Sequence, residues 1–409
     1  MSTEAPRLHP LHRAWQMLPA RSRRLWLARG SAWLAPKPAR VPPPGASGVV
    51  VGGEIDRASG LGESARLMAA ALHALGVPGG AIEAGPGVRA GRALSDWPDR
   101  SALVLHVNAP VLPAALLGLG RRALRGRRVI GFWAWELPTV PEHWRPALPL
   151  VHEVWAPSRF TADALRTLGL DHVRVVPHPV AVSPPAPSAL DRQAFGLDPE
   201  ALVVLCAFSL ASSFERKNPL ASIEAFRAAF GDRPDRVLVL KAGHGEHYPA
   251  DLARLRDAVG EARNIRLETR TLPAADMHAL TRCSDMVLSL HRSEGFGLVP
   301  AEAMLLGKPV LATDWSATTE FLDESCGVPI GYRLVPARDP RGVFEAPGAV
   351  WADADIGAAA QALRALADAP ERRTAIGQAA RHAAQVRLGT AGLEAALAAI
   401  GVPVPGLAT

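Results

Sequence analysis

Short runs of β-branched and aliphatic residues alternate with alanine- and leucine-rich stretches along most of the chain, and a proline-rich segment interrupts the pattern once. Such alternation predicts βα units, in which helices cross over between parallel strands. Before the interruption the predicted strands are Gly48–Gly53, Ala102–Val107, Val129–Trp133, Glu153–Ala156 and Val173–Val176, with helices at Leu61–Leu75 and Ser158–Leu168. After it the predicted strands are Leu202–Ala207, Val237–Lys241, Ile265–Leu267, Met286–Leu290 and Pro309–Ala312, with helices at Pro219–Phe230, Asp251–Val259, Ala274–Cys283, Val299–Leu306 and Ser316–Leu322.

The interruption, which begins at Pro177-His178-Pro179 and continues to Pro187, divides the 409 residues into two halves of domain size. The sequence therefore predicts an α/β protein with two Rossmann-like, doubly wound domains that face a central cleft. Ligands of open parallel sheets bind outside the carboxyl ends of the strands, so the cleft is the predicted site. The predicted parts are an N-terminal arm (1–45), a first domain (46–180), a hinge (181–200), a second domain (201–385) and a C-terminal helix with a tail (386–409).

The net charge of +6 is concentrated in the arm. Residues 1–40 contain eight arginines and lysines and one acid, so the rest of the chain is close to neutral and no nucleic-acid groove is predicted. Within the arm, Trp15, Trp26 and Trp33 are interleaved with arginines. This pattern fits either an anionic membrane surface or an arm that lies on the protein itself.

Two features of the composition concern the location of the protein. No run reaches the ~18 apolar residues of a membrane-spanning helix, and no secretory signal is recognisable. The three cysteines, Cys206, Cys283 and Cys326, are far apart and form no Cys-x-x-Cys pair, which favours a reducing compartment. A cytoplasmic location is expected, and peripheral attachment to the inner face of the cytoplasmic membrane is left open by the arm.

The segment 291–304 carries the most specific chemical signal. A predicted strand leads into a loop with Gly295 and Gly297, and a helix with Pro300 in its first turn follows. Free amide groups of such a loop, together with the positive end of the helix, bind anions. Glu294 and Glu302 bracket the loop with seven residues between them. A ligand with a central phosphate and hydroxyl groups at both ends, such as a nucleotide sugar, fits this layout.

Glu294-Gly295-Phe296-Gly297, Glu302 and the following Gly307-Lys308-Pro309-Val310 resemble the Glu-x7-Glu block of glycosyltransferase family 4. That family consists of retaining enzymes with the GT-B fold. Three further segments are similar to blocks of the family: Ser212–Pro219, Val175–Pro179 and Gly60-Leu61-Gly62. The resemblance covers about residues 48–385 and is strongest in 203–315.

The resemblance implies a role for each matching residue. Glu294 would bind hydroxyl groups of the donor sugar, and Lys217 with Arg216 would neutralise the leaving diphosphate; these three are the predicted catalytic residues. Glu302 would bind the ribose hydroxyls. The other predicted donor-binding residues are Gly295, Phe296, Gly297, Leu298, Gly60, Gly62, Ser209 and Arg270.

One position departs from the family. Many members have an arginine where this chain has Ser209, so Arg216 is expected to substitute for it. Members with the GT-B fold usually need no metal, and the resemblance implies neither a metal nor a cofactor, because the UDP- or GDP-linked sugar is a substrate. The base is expected to contact the segment Thr269-Arg270-Thr271.

The first domain is expected to hold the acceptor, a glycan or a lipid-linked oligosaccharide. Trp135 and Glu136 follow a predicted strand, where indole rings often stack on sugars. We expect one of the indoles of Trp133 and Trp135 in the site and the other in the core. His106 also ends a strand and is either an acceptor contact or a structural residue.

Taken together, these residues predict a retaining glycosyltransferase that moves a hexose such as mannose or glucose in bacterial surface polysaccharide assembly. Gly60-Leu61-Gly62 with Ala65 and Glu83 would also fit a dinucleotide fingerprint of an NAD-dependent oxidoreductase, although residues 54–59 separate it from the strand. A non-catalytic glycan-binding scaffold of the same fold is the other alternative. Asp353 and Asp355 could suggest a metal, but a helix N-cap explains them more simply.

Overall fold

Two six-stranded parallel sheets, one from each half of the chain, form the core of the computed structural model, which describes residues 19–88, 100–344, 346 and 348–405. The strand order is β2-β1-β3-β4-β5-β6 in the first sheet and β12-β11-β10-β7-β8-β9 in the second, so both are doubly wound. Tyr332–Pro336 and Val350–Ala354 form a separate antiparallel hairpin. The predicted α/β fold with two Rossmann-like domains is confirmed.

In the first half, the strands are β1 (Val49–Gly53), β2 (Gly79–Glu83), β3 (Ala102–His106), β4 (Val129–Phe132), β5 (Glu153–Ala156) and β6 (Val173–Val175). The helices are α1 (Ala20–Leu34), α2 (Gly60–Ala74), α3 (Leu112–Leu124) and α4 (Arg159–Arg166), with a 3-10 helix at Glu142–Leu150. The core strands lie within a residue or so of their predicted positions. The sequence analysis missed β2 and α3.

In the second half, the strands are β7 (Leu202–Ser209), β8 (Arg236–Gly243), β9 (Ile265–Glu268), β10 (Met286–Ser289), β11 (Val310–Thr313), β12 (Val328–Ile330), β13 (Tyr332–Pro336) and β14 (Val350–Ala354). The helices are α5 (Phe214–Lys217), α6 (Pro219–Phe230), α7 (Pro249–Val259), α8 (Ala274–Cys283), α9 (Leu298–Leu305), α10 (Ile356–Ala367), α11 (Pro370–Arg387) and α12 (Ala391–Ala399). The helix predicted over 316–322 is instead a short 3-10 turn, Ser316–Glu320. Asp355 is the N-cap of α10, as predicted, because its carboxylate accepts from the Ala358 amide.

The segment between the two sheets is anchored rather than loose. Arg192 donates to the carbonyl oxygens of Pro199 (2.7 Å) and Ala201 (2.8 Å) and pairs with Asp285 at 2.8 Å. Asp285 also accepts from the Val203 amide at 2.7 Å. These contacts fix the direction in which the chain enters β7, the first strand of the second sheet.

Three parts of the chain pack on the first domain although they lie outside it in sequence. Helix α1 buries Ala32 and its C-cap Ala35 against it, and helix α12 buries Leu393 and Leu397 in the cluster that contains Val49. The β13–β14 hairpin contributes a third contact, since Phe344 in its connection and Trp351 in β14 join the first domain's core cluster. None of the helices within the described residues is long and apolar enough to span a membrane.

Candidate active site

The loop after β10 lies between the two sheets and is tightly packed on both sides. Gly297 has a φ of +103°, and a Cβ there would stand 2.6 Å from Thr318 Cγ2. A Cβ on Gly295 would stand 2.9 Å from the carbonyl oxygen of Trp135 in the first domain. Both positions therefore require glycine: Gly297 because of its backbone conformation, and Gly295 because the two domains approach closely there.

The amide groups of this loop remain available for a ligand. The Glu294 amide donates to Ser316 Oγ at 2.8 Å, but among the described residues no acceptor is paired with the amides of Gly295, Phe296 or Gly297. Helix α9 begins directly after them, and no side chain in the described part of the protein caps its first turn. Unpaired amides at the positive end of a helix are suited to an anion such as a phosphate.

Glu294 forms a buried ion-pair cluster with the two adjacent cations. Its Oε2 lies 3.0 Å from Arg216 Nη1, and its Oε1 accepts from Lys217 Nζ. Burial disfavours the carboxylate charge, but the two cations outweigh it and hold the Glu294 pKa well below its ordinary value. The structure thus brings the three predicted catalytic residues together.

Arg216 connects this cluster to the first domain. Its Nη2 lies 3.5 Å from Glu136 Oε1, and its Nη1 donates to the Ser293 carbonyl at 2.7 Å. Burial opposes the guanidinium charge, but Glu294 and Glu136 outweigh it and raise the Arg216 pKa. For Lys217, burial is the largest effect and lowers its pKa. The expected substitution of Arg216 for the missing arginine at 209 remains a prediction, and its side chain does lie beside Glu294.

The basic helix α5 is held in place by residues that the sequence analysis did not single out. Its N-cap is Ser213, whose φ is +81° and whose Oγ accepts from the Arg216 amide at 3.3 Å. Buried Asp339, from the β13–β14 connection, accepts from Ser213 Oγ at 3.3 Å and from the amides of Val343 (2.9 Å) and Phe344 (3.2 Å). No sequence motif marks Asp339, because it is more than one hundred residues away from Ser213.

The Glu302 side chain differs from that of Glu294 because no described cation pairs with it. Glu302 is half-buried on α9, and its carboxyl group makes no hydrogen bond or ion pair with the described residues. Burial and, secondarily, the charge of Glu63 on helix α2 raise the Glu302 pKa to about 8. An unpaired carboxyl group between the domains is suited to bind hydroxyl groups.

The other predicted donor residues lie in three places. Ser209 Oγ is 2.9 Å from His244 Nδ1, which places the two loops after β7 and β8 together. Gly60 and Gly62 begin helix α2, and a Cβ on Gly62 would stand 2.5 Å from the Arg57 carbonyl oxygen. Leu298 is half-buried at the start of α9. Arg270, by contrast, is mostly exposed after the edge strand β9, and its hydrogen bonds within the described residues are with Glu268.

The predicted acceptor residues require correction. Contrary to the expectation that one indole faces the cleft, both are buried: Trp133 is in the core, and Trp135 donates from Nε1 to the Thr139 carbonyl and packs on Trp144 and Phe344. Stacking on a sugar is prevented because Phe344, from the second half of the chain, occupies that surface.

His106 has the structural role that was the alternative. It is buried, lies 2.7 Å from Ser64 Oγ and stacks on Phe132 at 4.3 Å. Burial lowers its pKa well below the ordinary value, so the ring is neutral. Glu136 alone of the three predicted acceptor residues reaches the ion-pair cluster.

The alternative dinucleotide fingerprint is not supported by the structure. Glu83, which would bind the ribose, instead accepts from the amides of Ile55 (2.8 Å) and Asp56 (3.3 Å). Residues 54–59 separate β1 from α2, as the sequence indicated. Among the described residues, no group of three or more His, Cys, Asp or Glu side chains is arranged to hold a metal ion.

Comparison of the structure with solved structures identifies the fold. Anabaena Alr3699/HepE, solved in complex with UDP and glucose, superposes with a TM-score of 0.59 at 16% identity and covers 86% of this chain and 98% of that one. A glycosyltransferase from Rickettsia africae superposes with a TM-score of 0.61 at 13% identity and the same coverage. The chain has the GT-B fold.

Sequence comparison adds a family match for the second of the two GT-B domains. Residues 201–353 match the family described as glycosyl transferases group 1. D-inositol 3-phosphate glycosyltransferase of Jonesia denitrificans is 32% identical over 157 residues, which are 37% of this chain and 35% of that protein. Lipopolysaccharide core biosynthesis mannosyltransferase LpsB of Rhizobium meliloti is 30% identical over 185 residues, 44% of this chain and 50% of that protein. The chain thus spans between a third and a half of the length of these relatives.

Proposed function

We propose that this protein is a retaining glycosyltransferase of family 4, which transfers a hexose such as mannose or glucose from a UDP- or GDP-linked donor to a glycan or lipid-linked oligosaccharide. One observation carries the proposal: along the segment 294–302, the amides of Gly295, Phe296 and Gly297, which have no acceptor among the described residues, stand between Glu294, which pairs with two cations, and Glu302 on helix α9. This order of groups matches the order of sugar, diphosphate and ribose in a nucleotide sugar.

In the proposed reaction, the bond between the sugar C1 and the diphosphate oxygen breaks, and a bond between C1 and the acceptor hydroxyl oxygen forms on the same face. The hydroxyl proton passes to the leaving phosphate oxygen. Arg216 and Lys217 stabilise the negative charge that develops on that oxygen, which requires no metal and no cofactor. Glu294 orients the sugar through its hydroxyl groups, and Glu302 accepts from the ribose.

Donor binding must exchange the partners within the ion-pair cluster. In the structure, Arg216 and Lys217 share the single negative charge of Glu294. A diphosphate bound by the loop amides would attract both cations and release the Glu294 carboxylate toward the sugar. Because the cluster is buried, an incoming diphosphate interacts with it more strongly than it would in water.

The setting that we propose is bacterial surface polysaccharide assembly, with the protein in the cytoplasm at the inner face of the cytoplasmic membrane. The Rhizobium meliloti relative is a mannosyltransferase of lipopolysaccharide core biosynthesis. A lipid-linked acceptor would require the protein to work next to a bilayer.

Calorimetric titration with UDP, GDP and NAD tests the donor site. UDP or GDP should bind, NAD should not, and Lys217→Ala should weaken diphosphate binding at least tenfold. Lys308→Ala is the matched control. Lys308 precedes β11 and donates to the Ser284 carbonyl, so it lies at the end of the second sheet opposite to the candidate site. Tight NAD binding without nucleotide affinity would overturn the proposal.

Hydrolysis of a nucleotide sugar in the absence of acceptor separates an enzyme from a scaffold. Slow release of UDP or GDP is expected from the native protein, and Glu294→Gln should abolish it while nucleotide binding persists. If nucleotide binds but no donor is ever turned over, with or without glycan acceptors, the protein is a binding scaffold of this fold.

A further inference from the structure

Helix α1 presents its large apolar residues to solvent and its small ones to the protein. Trp26, Leu27, Trp33 and Leu34 are each more than 60% exposed, whereas Ala28 is buried. Trp26 and Trp33 are seven residues apart, and so are Leu27 and Leu34, so the four side chains share one face of the helix. A helix that only covers the first domain would place its tryptophans inward, so this orientation is the reverse of what folding alone favours.

Cations surround this exposed face. Arg29 lies beside it on α1, and Lys37 and Arg40 follow in the exposed segment that leaves the helix. Glu4 is the single acid among residues 1–40 and lies outside the described residues. Val41, which is 77% exposed, follows Arg40 along the chain. We call the surface formed by Trp26, Leu27, Trp33 and Leu34 the α1 face.

We infer that the α1 face is a docking surface for an anionic lipid bilayer. Indole rings are suited to the boundary between headgroups and acyl chains, and arginine and lysine pair with anionic headgroups. The helix would lie in the plane of the membrane, in keeping with the absence of a described helix that could span it. A contiguous exposed apolar patch of this kind marks an interaction site rather than ordinary surface.

The opposite side of helix α1 contacts the segment that lies next to the candidate site. Arg24, on the side of α1 away from the tryptophans, donates to the carbonyl oxygens of Gly342 and Arg341. Those residues belong to the β13–β14 connection that holds Asp339 and Phe344 next to Arg216. The inference rests on the proposed membrane location but not on the proposed chemistry, because α1 contributes none of the donor-site residues.

Vesicle sedimentation of the full chain tests the inference. Vesicles of phosphatidylglycerol and phosphatidylcholine should bind the native protein, and pure phosphatidylcholine vesicles should bind it at least tenfold more weakly. Trp26→Ser/Trp33→Ser and, separately, Arg29→Glu/Lys37→Glu should each reduce the partition coefficient on anionic vesicles at least tenfold. Raising the salt concentration should weaken the native protein's binding.

The control is a matched pair on helix α11 in the second domain, Val386→Ala and Arg372→Glu. Both positions are exposed, and neither change should alter sedimentation. Nucleotide titration of the same preparations shows that each variant is folded and tests the proposed chemistry separately.

Three results would overturn the inference. The first is native protein that stays in solution with anionic vesicles, and the second is unchanged binding by the tryptophan variant. The third is a native dimer that the tryptophan variant converts to a monomer, because a second copy of this chain would then cover the α1 face.

Discussion

Arg216 and Lys217 are adjacent cations that share the carboxylate of Glu294 inside the protein. Removing such charges from water costs free energy that their mutual attraction only partly offsets, so a buried cluster of this kind contributes little to stability. The cluster is instead suited to exchange its anion, because a bound diphosphate can replace the Glu294 carboxylate without leaving Arg216 or Lys217 unpaired. A purely structural cluster would not need free amides beside it.

Asp339 is expected to position the cations of helix α5 through Ser213. Asp339→Ala removes the acceptor for the Ser213 hydroxyl and for the amides of Val343 and Phe344, and should lower the free energy of unfolding by about 2–4 kcal/mol. Diphosphate affinity should also fall several-fold. Asp355→Ala is the control, since it removes an exposed N-cap and should cost about 1 kcal/mol with no change in diphosphate affinity. Urea unfolding measures the stability of the two variants, and calorimetry measures their diphosphate affinity. If Asp339→Ala changed diphosphate affinity no more than Asp355→Ala does, Asp339 would have no positioning role.

Glu302 should make stability depend on pH in an unusual direction. Its pKa of about 8 in the folded protein exceeds the ordinary 4.5, so the folded state holds a proton that the unfolded chain releases, and stability falls as pH rises between these values. Glu302→Gln removes this dependence. The stability advantage of the variant should be small near pH 4.5 and should grow by at least about 1 kcal/mol by pH 8, given ~1.4 kcal/mol for each pKa unit. A difference that stays constant from pH 5 to pH 8.5 in thermal unfolding would refute the raised pKa.

At the scale of elements, the loops that follow the second sheet's strands carry unusual backbone conformations. Within the described residues, the non-glycine residues with positive φ are Ser213, Asn218, His244 and Ser316, and all are in this domain. Ser213 and Asn218 flank helix α5, and Ser316 binds the Glu294 amide. Such conformations cost of order 1–3 kcal/mol each and concentrate where a site requires a particular geometry.

The loop before α9 should tolerate no side chain at Gly297. Gly297→Ala combines a left-handed backbone with an overlap on Thr318 and should lower the free energy of unfolding by about 3 kcal/mol. Gly60→Ala is the matched control from the other glycine motif, because no atom of the described residues lies within 4 Å of its Cβ position and the residue begins a helix. That change should be neutral or slightly stabilising. Chemical unfolding compares the two, and similar losses for both would contradict the packing seen around Gly297.

Elements with a strong local pattern could be predicted from the sequence, and those formed by distant contacts could not. The buried strands of both sheets were found because they are short β-branched runs between helical stretches. Strand β2, with the sequence Gly-Gly-Ala-Ile-Glu, has weak strand propensity and pairs only because β1 lies beside it. The β13–β14 hairpin was missed because its position depends on distant contacts: Phe344 and Trp351 pack in the first domain's core cluster, and Asp339 accepts from Ser213.

The residues of the candidate site also divide into those that a local sequence pattern predicts and those that distant contacts determine. Glu294, Gly295, Gly297 and Glu302 lie in one segment, and their arrangement follows from a strand, a loop and a helix. Trp135 was assigned to the cleft because no local signal shows that Phe344 covers it. Asp339 was missed because only the folded chain places it beside Ser213.

At the scale of the whole molecule, several contacts between the two domains involve the loop of the candidate site. Ser158 and Thr161 at the start of α4 both donate to the Gly295 carbonyl, at 2.8 and 3.2 Å, and Ser293 donates to the Glu136 carbonyl. Phe160 also packs edge-on against Trp315, with ring centroids 5.7 Å apart. The domains therefore meet through the loop that we propose to bind the donor, and a separation of the domains would break these contacts.

Glu320 is expected to control this separation. Its carboxylate, from the second domain, accepts from the amides of Arg159 and Phe160, both at 2.9 Å, and so caps helix α4 of the first domain. Glu320→Ala and Ser59→Ala each remove a helix cap worth about 1 kcal/mol, but Ser59 caps α2 within its own domain. Unfolding should show similar losses for the two variants. Small-angle X-ray scattering should show a larger radius of gyration only for Glu320→Ala, because only that cap joins the domains. Added nucleoside diphosphate should have little effect on the radius of gyration of the native protein and should reduce that of Glu320→Ala. Identical scattering from Glu320→Ala and Ser59→Ala would mean that the remaining contacts hold the domains together without this cap.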